Sequence, residues 1–263
     1  MREIIDHYEE IPEDNRLLTG WGQLEFARTQ ELIEGHLPAP PRRILDVGGG
    51  SGIYSAWLAS RGNEVHLLDI VPGHIARARK ECPKLASAEV GDARSLPQAE
   101  ASFDAVLLLG PLYHLIETAD RAKALVEARR VLRPSGILFA AAINHFGSLF
   151  DGLARGFIDD PRFMIILERD LRDGQHRNTT DEPNYFTSAF FHRPEELELE
   201  IKQAGFSVER IVPVEGPVWL ARDFEARWSD PARRDQLLHL ARTVEREPGM
   251  LAVSPHLLAI ARA

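Results

Sequence analysis

The run Ile44-Leu45-Asp46-Val47-Gly48-Gly49-Gly50-Ser51-Gly52 limits what this chain can fold into more than any other stretch. It reads as a buried strand that breaks into a glycine-rich turn and then a helix. Gly48, Gly50 and Gly52 alternate, with Asp46 two residues ahead of the first. Residues without Cβ atoms turn sharply and let a ligand come close. A helix that starts there presents unpaired N–H groups. In a parallel sheet such a turn is a nucleotide-sized ledge at the carboxyl edge.

Strand and helix signals alternate after that turn. Residues 1–40 are polar and then amphipathic, with Leu24, Phe26, Leu32 and Ile33 on one side of a helix ending near Gly35. Pro38, Pro40 and Pro41 make a stiff connector. Strands are predicted at 43–47, 64–69, 85–90, 103–109 and 136–143, and helices at 52–61, 72–81 and 121–132. A helix at 194–205, a strand at 206–214 and a last strand at 256–261 complete the pattern. The order predicts an α/β fold: a doubly wound, Rossmann-like, seven-stranded parallel sheet with helices on both faces. The expected organisation is an N-terminal helical arm (1–40), a cofactor-binding core (41–143), a lid insertion (144–192) and the rest of the core (193–263). The last part carries a helical insertion at 220–247, interrupted near Ser229-Asp230-Pro231.

Composition narrows the partners. With 263 residues and 44% apolar content the chain can bury a large core. A net charge of −9 disfavours a nucleic-acid partner. The single cysteine, Cys82, excludes an internal disulfide and a cysteine metal cluster, and fits a reducing cytoplasm. The first ten residues hold four acids and no apolar stretch, so no signal peptide is expected there. No segment reads as a membrane span. The expectation is a cytoplasmic protein with a small-molecule substrate, no metal, and no membrane or nucleic-acid partner. The apolar positions of 220–247 fit either a homodimer contact or packing on the lid.

Two cofactor classes use a turn of this kind. A dinucleotide site wants Gly-x-Gly-x-x-Gly, and here the third glycine is replaced by Ile53. The Asp46-x-Gly48-x-Gly50-x-Gly52 spacing instead resembles the first motif of class I S-adenosylmethionine-dependent methyltransferases. Further pieces follow in the family's order. Asp69 ends strand two, with Ile70 after it. Asp92 and Ala93 follow strand three, Leu109 and Gly110 end strand four, and Val131–Leu138 resembles the helix-to-strand turn before strand five. The resemblance covers roughly residues 40–143. It implies S-adenosyl-L-methionine as cofactor and S-adenosyl-L-homocysteine as product. Gly48, Gly49 and Gly50 would lie against the amino-acid end of the cofactor. Asp46 would reach its ammonium through water or brace the turn. Asp69 would accept from the ribose hydroxyls, and Asp92 from the adenine amine. Arg28 is a candidate partner for the cofactor carboxylate, or half of a surface pair with Glu25. Tyr8 is a candidate to fold over the cofactor.

Members of the superfamily that methylate adenine or amide nitrogen often carry Asn/Asp-Pro-Pro-Tyr after strand four. This chain has Gly110-Pro111-Leu112-Tyr113, without the side-chain acceptor. It looks more like the small-molecule methyltransferases of bacterial metabolism. Methyl transfer is an in-line displacement, so the protein must chiefly align the reactants and exclude water. His114 and His145 are candidate bases, each with a structural alternative. Tyr113, His114, His176, Tyr185, Phe186 and Trp219 are candidate substrate contacts, with Trp219 either flooring the pocket or packing in the core. The aromatic lid suggests a partly apolar or aromatic acceptor, methylated at oxygen or nitrogen. The alternative function is a non-catalytic S-adenosylmethionine-binding partner or sensor.

Overall fold

The computed structural model describes residues 5, 7–9 and 15–263. Its seven-stranded sheet comprises β1 (Arg43–Val47), β2 (Glu64–Asp69), β3 (Ser87–Val90), β4 (Phe103–Leu108), β5 (Leu132–Ile143), β8 (Ser207–Pro213) and β9 (His256–Arg262). The order across the sheet is β3-β2-β1-β4-β5-β9-β8. Strands β1 to β5 run parallel, whereas β9 is antiparallel to both its neighbours. The expected all-parallel sheet is corrected at this one strand. Its reversal brings the first residue of β9 to the edge where β1, β2 and β4 end.

Alternation along the strands sorts the core into two layers. Leu45, Val106 and Leu138 face α5 (Thr118–Val131) and α8 (Pro194–Gln203), which contribute Leu125, Ala128, Leu197 and Ile201. Ile44, Leu107, Ile137 and Phe139 face α1 (Gly22–His36) and α2 (Ile53–Ser60), which contribute Leu32, Ile33 and Leu58. Helix α3 (Pro72–Glu81) covers β2 and β3 through Ile75 and Ala78. A single turn, α4 (Pro111–His114), follows β4. Strand β5 begins four residues before the predicted Gly136. Its register against β4 shifts between Phe103 and Ala105, so Pro134 sits where the ladder is already irregular.

The insertion after β5 leaves and returns at one point. His145 donates its backbone N–H to His192, and His192 donates to Ile143. Between them lie α6 (Gly147–Arg155), α7 (Pro161–Asp173) and the short antiparallel pair β6 (Gln175–His176) and β7 (Ala189–Phe190). That pairing is internal to the insertion and involves only two residues per strand. Its sequence therefore gives no strand signal. In the later insertion, α9 (Phe224–Ser229) and α10 (Pro231–Val244) bury Phe224, Trp228, Leu237 and Leu238 with Leu24 of α1. The apolar face of 220–247 is thus used within the chain, against the N-terminal helix.

Arg121 is a buried cation that ties these layers. Its guanidinium, 1% exposed, grips Glu200 of α8 at 2.6 Å and donates to the carbonyls of Leu115 and Ile116. It also stacks over Phe190 of the lid at 3.7 Å. Burial disfavours the Glu200 charge, but His192 and Arg121 outweigh it and hold its pKa at about 2. Arg121→Ala strands that carboxylate. Urea unfolding is expected to show a loss of about 3–5 kcal/mol. Because the Glu200 pKa is depressed, its contribution is present above the ordinary carboxylate range and fades as pH falls toward 2.

Candidate functional site

The cleft lies over the carboxyl ends of β1, β2, β3 and β4, at the point where the chain crosses from one side of β1 to the other. Gly48, Gly49 and Gly50 form its floor, and Asp46, Asp69, Ile70, Asp92, Ala93, Leu109 and Gly110 line it. Gly48 has φ +70°, and a Cβ there would lie 2.6 Å from the Pro111 ring. A Cβ on Gly110 would meet the Gly48 carbonyl at 3.1 Å. The exit of β4 and the turn after β1 are therefore packed backbone to backbone. The missing acceptor at position 110 has a packing cause.

Asp69 organises the turn. Its Oδ2 accepts from Gly50 N at 2.8 Å and its Oδ1 from Val71 N at 2.8 Å, with His74 at 3.2 Å. Oδ2 retains a second lone pair for a ligand hydroxyl, whereas Oδ1 already has two partners. Asp46 is fully buried beneath the turn. Ser55 donates to its Oδ2, while Oδ1 has no hydrogen bond among the described residues. Burial raises its pKa, the Ser55 bond opposes this, and the Asp69 charge adds to it, giving about 7. An orphaned buried oxygen at a glycine ledge fits a cationic group or its water. Asp92 lines the cleft with its carboxylate clamped by Arg94, which also reaches Asp120. The Arg94 hydrogen bonds lower the Asp92 pKa against burial.

Arg28 is elsewhere. Its guanidinium is 1% exposed, paired with Glu31 at 2.5 Å and Glu245 at 2.6 Å, and donates to the Val214 carbonyl. It fastens α1 to the end of α10 and does not line the cleft. It does not pair with Glu25 either. Glu25 is held by Arg16, at 2.5 and 2.9 Å.

A second cavity lies between the sheet edge and the lid, walled by Phe150, Phe186 and Trp219 among others. Tyr8, Arg16, Glu25, Tyr113 and His256 line both cavities and form the wall between them. His114 stands at the cleft side. Its Nε2 is 2.8 Å from the Tyr8 hydroxyl, and burial together with the charge of His7 lowers its pKa to about 4. At neutral pH it is an uncharged, weakly basic ring.

The lid histidines are structural. His145 is 3% exposed and lines neither cavity. Its Nε2 sits between the Leu171 carbonyl and Arg193, which corrects the candidate base. His176 borders the second cavity but has both ring nitrogens engaged, Nδ1 with Asp170 and Nε2 with the Tyr185 carbonyl, each at 2.7 Å. Tyr185 packs on Phe157 and Phe163, and its hydroxyl donates to Asp160. Phe186, at φ +68°, turns back toward His114 at 5.9 Å between ring centroids. Trp219 both packs and lines: its Nε1 donates to Val253, and its ring meets Trp21 and Phe150.

Sequence reasoning missed Glu25, Arg16, Glu215 and His256. Glu215 is 2% exposed. Its Oε1 meets His256 Nδ1 at 2.6 Å, and its Oε2 accepts from Ser254 Oγ and His256 N. Glu25 Oε2 lies 3.7 Å from the same Nδ1. Burial opposes a charge on His256, but Glu25 and Glu215 together lift its pKa to about 9. Burial likewise opposes the charge on Glu25, and Arg16 with His256 holds its pKa near 2. The available signal was positional: His256 opens the last strand, and only a reversed strand puts its first residue at the ligand edge.

Residues 45–140 match a family described as "Methyltransferase domain". The chain is 31% identical over 147 residues to a demethylmenaquinone methyltransferase of Beutenbergia cavernae, spanning 51% of this chain and 60% of that protein. It is 35% identical over 140 residues to a malonyl-[acyl-carrier protein] O-methyltransferase of Dechloromonas aromatica, spanning 52% and 50%. The chain spans 24–60% of the length of the curated relatives it matches. Among solved structures, a complex between the Haloferax volcanii Trm112 methyltransferase activator and a putative methyltransferase superposes with a TM-score of 0.64. The match covers 100% of this chain and 99% of that one at 19% identity. At that identity the likeness shows the fold. No helix among the described residues is long and apolar enough to cross a membrane.

Titration followed by NMR is expected to place the His256 ring near pH 9 and the His114 ring near pH 4. Glu215→Gln should bring His256 back toward the ordinary histidine range. A raised folded pKa stabilises below the unfolded value, and that stability is lost as pH rises through 9.

Proposed function

We propose, from the match of residues 45–140 to a methyltransferase-domain family, that this chain is an S-adenosylmethionine-dependent enzyme that methylates a small molecule held under its lid. The observation that carries the reading is the pair of adjoining cavities. One carries the glycine ledge, the other is lined by several aromatic rings, and among the described residues five side chains line both. A protein that only sensed the cofactor would have no use for the second cavity.

When bound, S-adenosylmethionine supplies a methyl group already activated by its sulfonium. The chain's own residues then have three tasks. Asp69, fixed by Gly50 and Val71, orients the sugar by accepting from its hydroxyls. The buried, unpaired oxygen of Asp46 attracts the ammonium end. The lid and α1 cover the wall between the cavities and exclude water, which favours an in-line approach over hydrolysis. His114 is too weak a base to remove a proton from a hydroxyl near neutral pH, so we give it the role of wall and Tyr8 partner. The acceptor is a small, partly apolar or aromatic metabolite. One relative is named an O-methyltransferase and another a C-methyltransferase, so carbon stands beside oxygen and nitrogen as the reacting atom.

Calorimetry tests the cofactor assignment. S-adenosylhomocysteine is expected to bind and NAD not to bind. Asp69→Ala should weaken the former at least about tenfold, since it loses charged hydrogen bonds and the brace on Gly50. Binding should also strengthen as pH rises through about 7, where Asp46 ionises, and Asp46→Asn should flatten that profile. A radiolabelled-methyl screen of phenols, carboxylic acids and amines then looks for the acceptor. Failure of S-adenosylhomocysteine to bind overturns the reading.

A further inference from the structure

The wall between the cavities contains one side chain with a polar atom left over. His256 lines both spaces. Its Nδ1 is fixed by Glu215, which is itself buried and bound on both oxygens. Its Nε2 makes no hydrogen bond to protein among the described residues. The ring is thus locked in orientation, with its remaining polar edge available to a ligand.

We propose that His256 is the acceptor-binding residue, donating from Nε2 to an anionic oxygen (a carboxylate, phenolate or enolate) on the molecule that receives the methyl group. This inference rests on the methyltransferase reading and names its acceptor class. A protonated imidazole edge favours an anion over a cation or a neutral partner. Both carboxylates near the ring, Glu25 and Glu215, lie on its Nδ1 side. They keep the imidazole protonated at neutral pH, so Nε2 offers a proton rather than a lone pair. Arg16 pairs with Glu25 in the same wall. Within this cluster Arg16 and the protonated His256 offset Glu25 and Glu215, so the positive edge of the ring is not cancelled by an uncompensated carboxylate beside it. A charge-assisted bond from a fixed donor is also stronger than a neutral one.

The same geometry argues against a general base. A base needs an unprotonated nitrogen near the working pH. Among the described residues the charged groups acting on the ring are Glu25 from α1, Arg16 from the turn before it, and Glu215 from the exit of β8. The two carboxylates are the ones that hold the proton on His256. The body of the acceptor is apolar and flat, because aromatic rings, Phe150, Phe186 and Trp219 among them, line the chamber beyond the wall.

Benzoate and benzamide differ in one charge on the same ring, so they serve as probes. Each is titrated calorimetrically into the protein with and without S-adenosylhomocysteine. Benzoate is expected to bind at least about tenfold more tightly than benzamide at neutral pH, the size of one charged hydrogen bond. In His256→Gln the two should differ by less than about twofold, while S-adenosylhomocysteine still binds. In the unmodified protein the preference should fade as pH rises past 9, where the ring loses its proton. Should His256→Gln fail to fold, that pH series decides alone. Equal affinity, no binding of either probe, or a preference that survives the substitution or the high pH overturns the inference. Loss of S-adenosylhomocysteine binding in the unmodified protein overturns the functional reading instead, and the benzoate titration without it is read separately.

Discussion

The turn after β1 is the constraint on which the molecule depends. Gly48 takes a left-handed backbone and lies against Pro111, so β1 and β4 can diverge with no side chain between them. Asp69, from the neighbouring strand, then holds the turn through Gly50. One carboxylate thus both shapes the ledge and faces what lies on it. The sheet, the helix that starts at Ile53 and the cleft above them all take their positions from these few backbone contacts.

Around that ledge the chain wraps pieces distant in sequence. Helix α1 packs on the helices of the second insertion, and Arg28 fastens this joint to Glu245. The lid is closed at its base by Ile143, His145 and His192 and tied to α5 and α8 through Arg121 and Glu200. In these buried contacts Arg28 and Arg121 each meet a carboxylate and a backbone carbonyl, which is the condition for tolerating such charge in an interior. They also explain why several residues that look chemically promising serve architecture. His176 has Asp170 on one nitrogen and a carbonyl on the other, and His145 has a carbonyl and a guanidinium on a single nitrogen.

The wall between the two cavities has a different character. Arg16, Glu25, Glu215 and His256 come from four places in the chain and form one ion-paired cluster. None of them sits in the glycine-turn motif. The glycine ledge is thereby joined to a second chamber. The sheet supplies the former, and the N-terminal arm, the insertion after β5 and the ends of β8 and β9 supply the latter.

Much of this was legible in the residues. The alternation of strands and helices, the ledge residues from Asp46 to Gly50, and Asp69 and Asp92 at the sheet edge follow from short-range pattern and spacing, because each depends on neighbours within a few positions. The direction of β9 did not follow, since an apolar strand reads the same either way. Nor did the destinations of Arg28, His145 and His176, because the groups that bind a long or polar side chain lie up to some two hundred residues away. Pattern therefore determined the strands and the glycine ledge, and the family resemblance named the cofactor for it. Only the tertiary structure decided which charges met in the wall, because a pKa and a binding role belong to the set of groups packed together, and that set is assembled by folding.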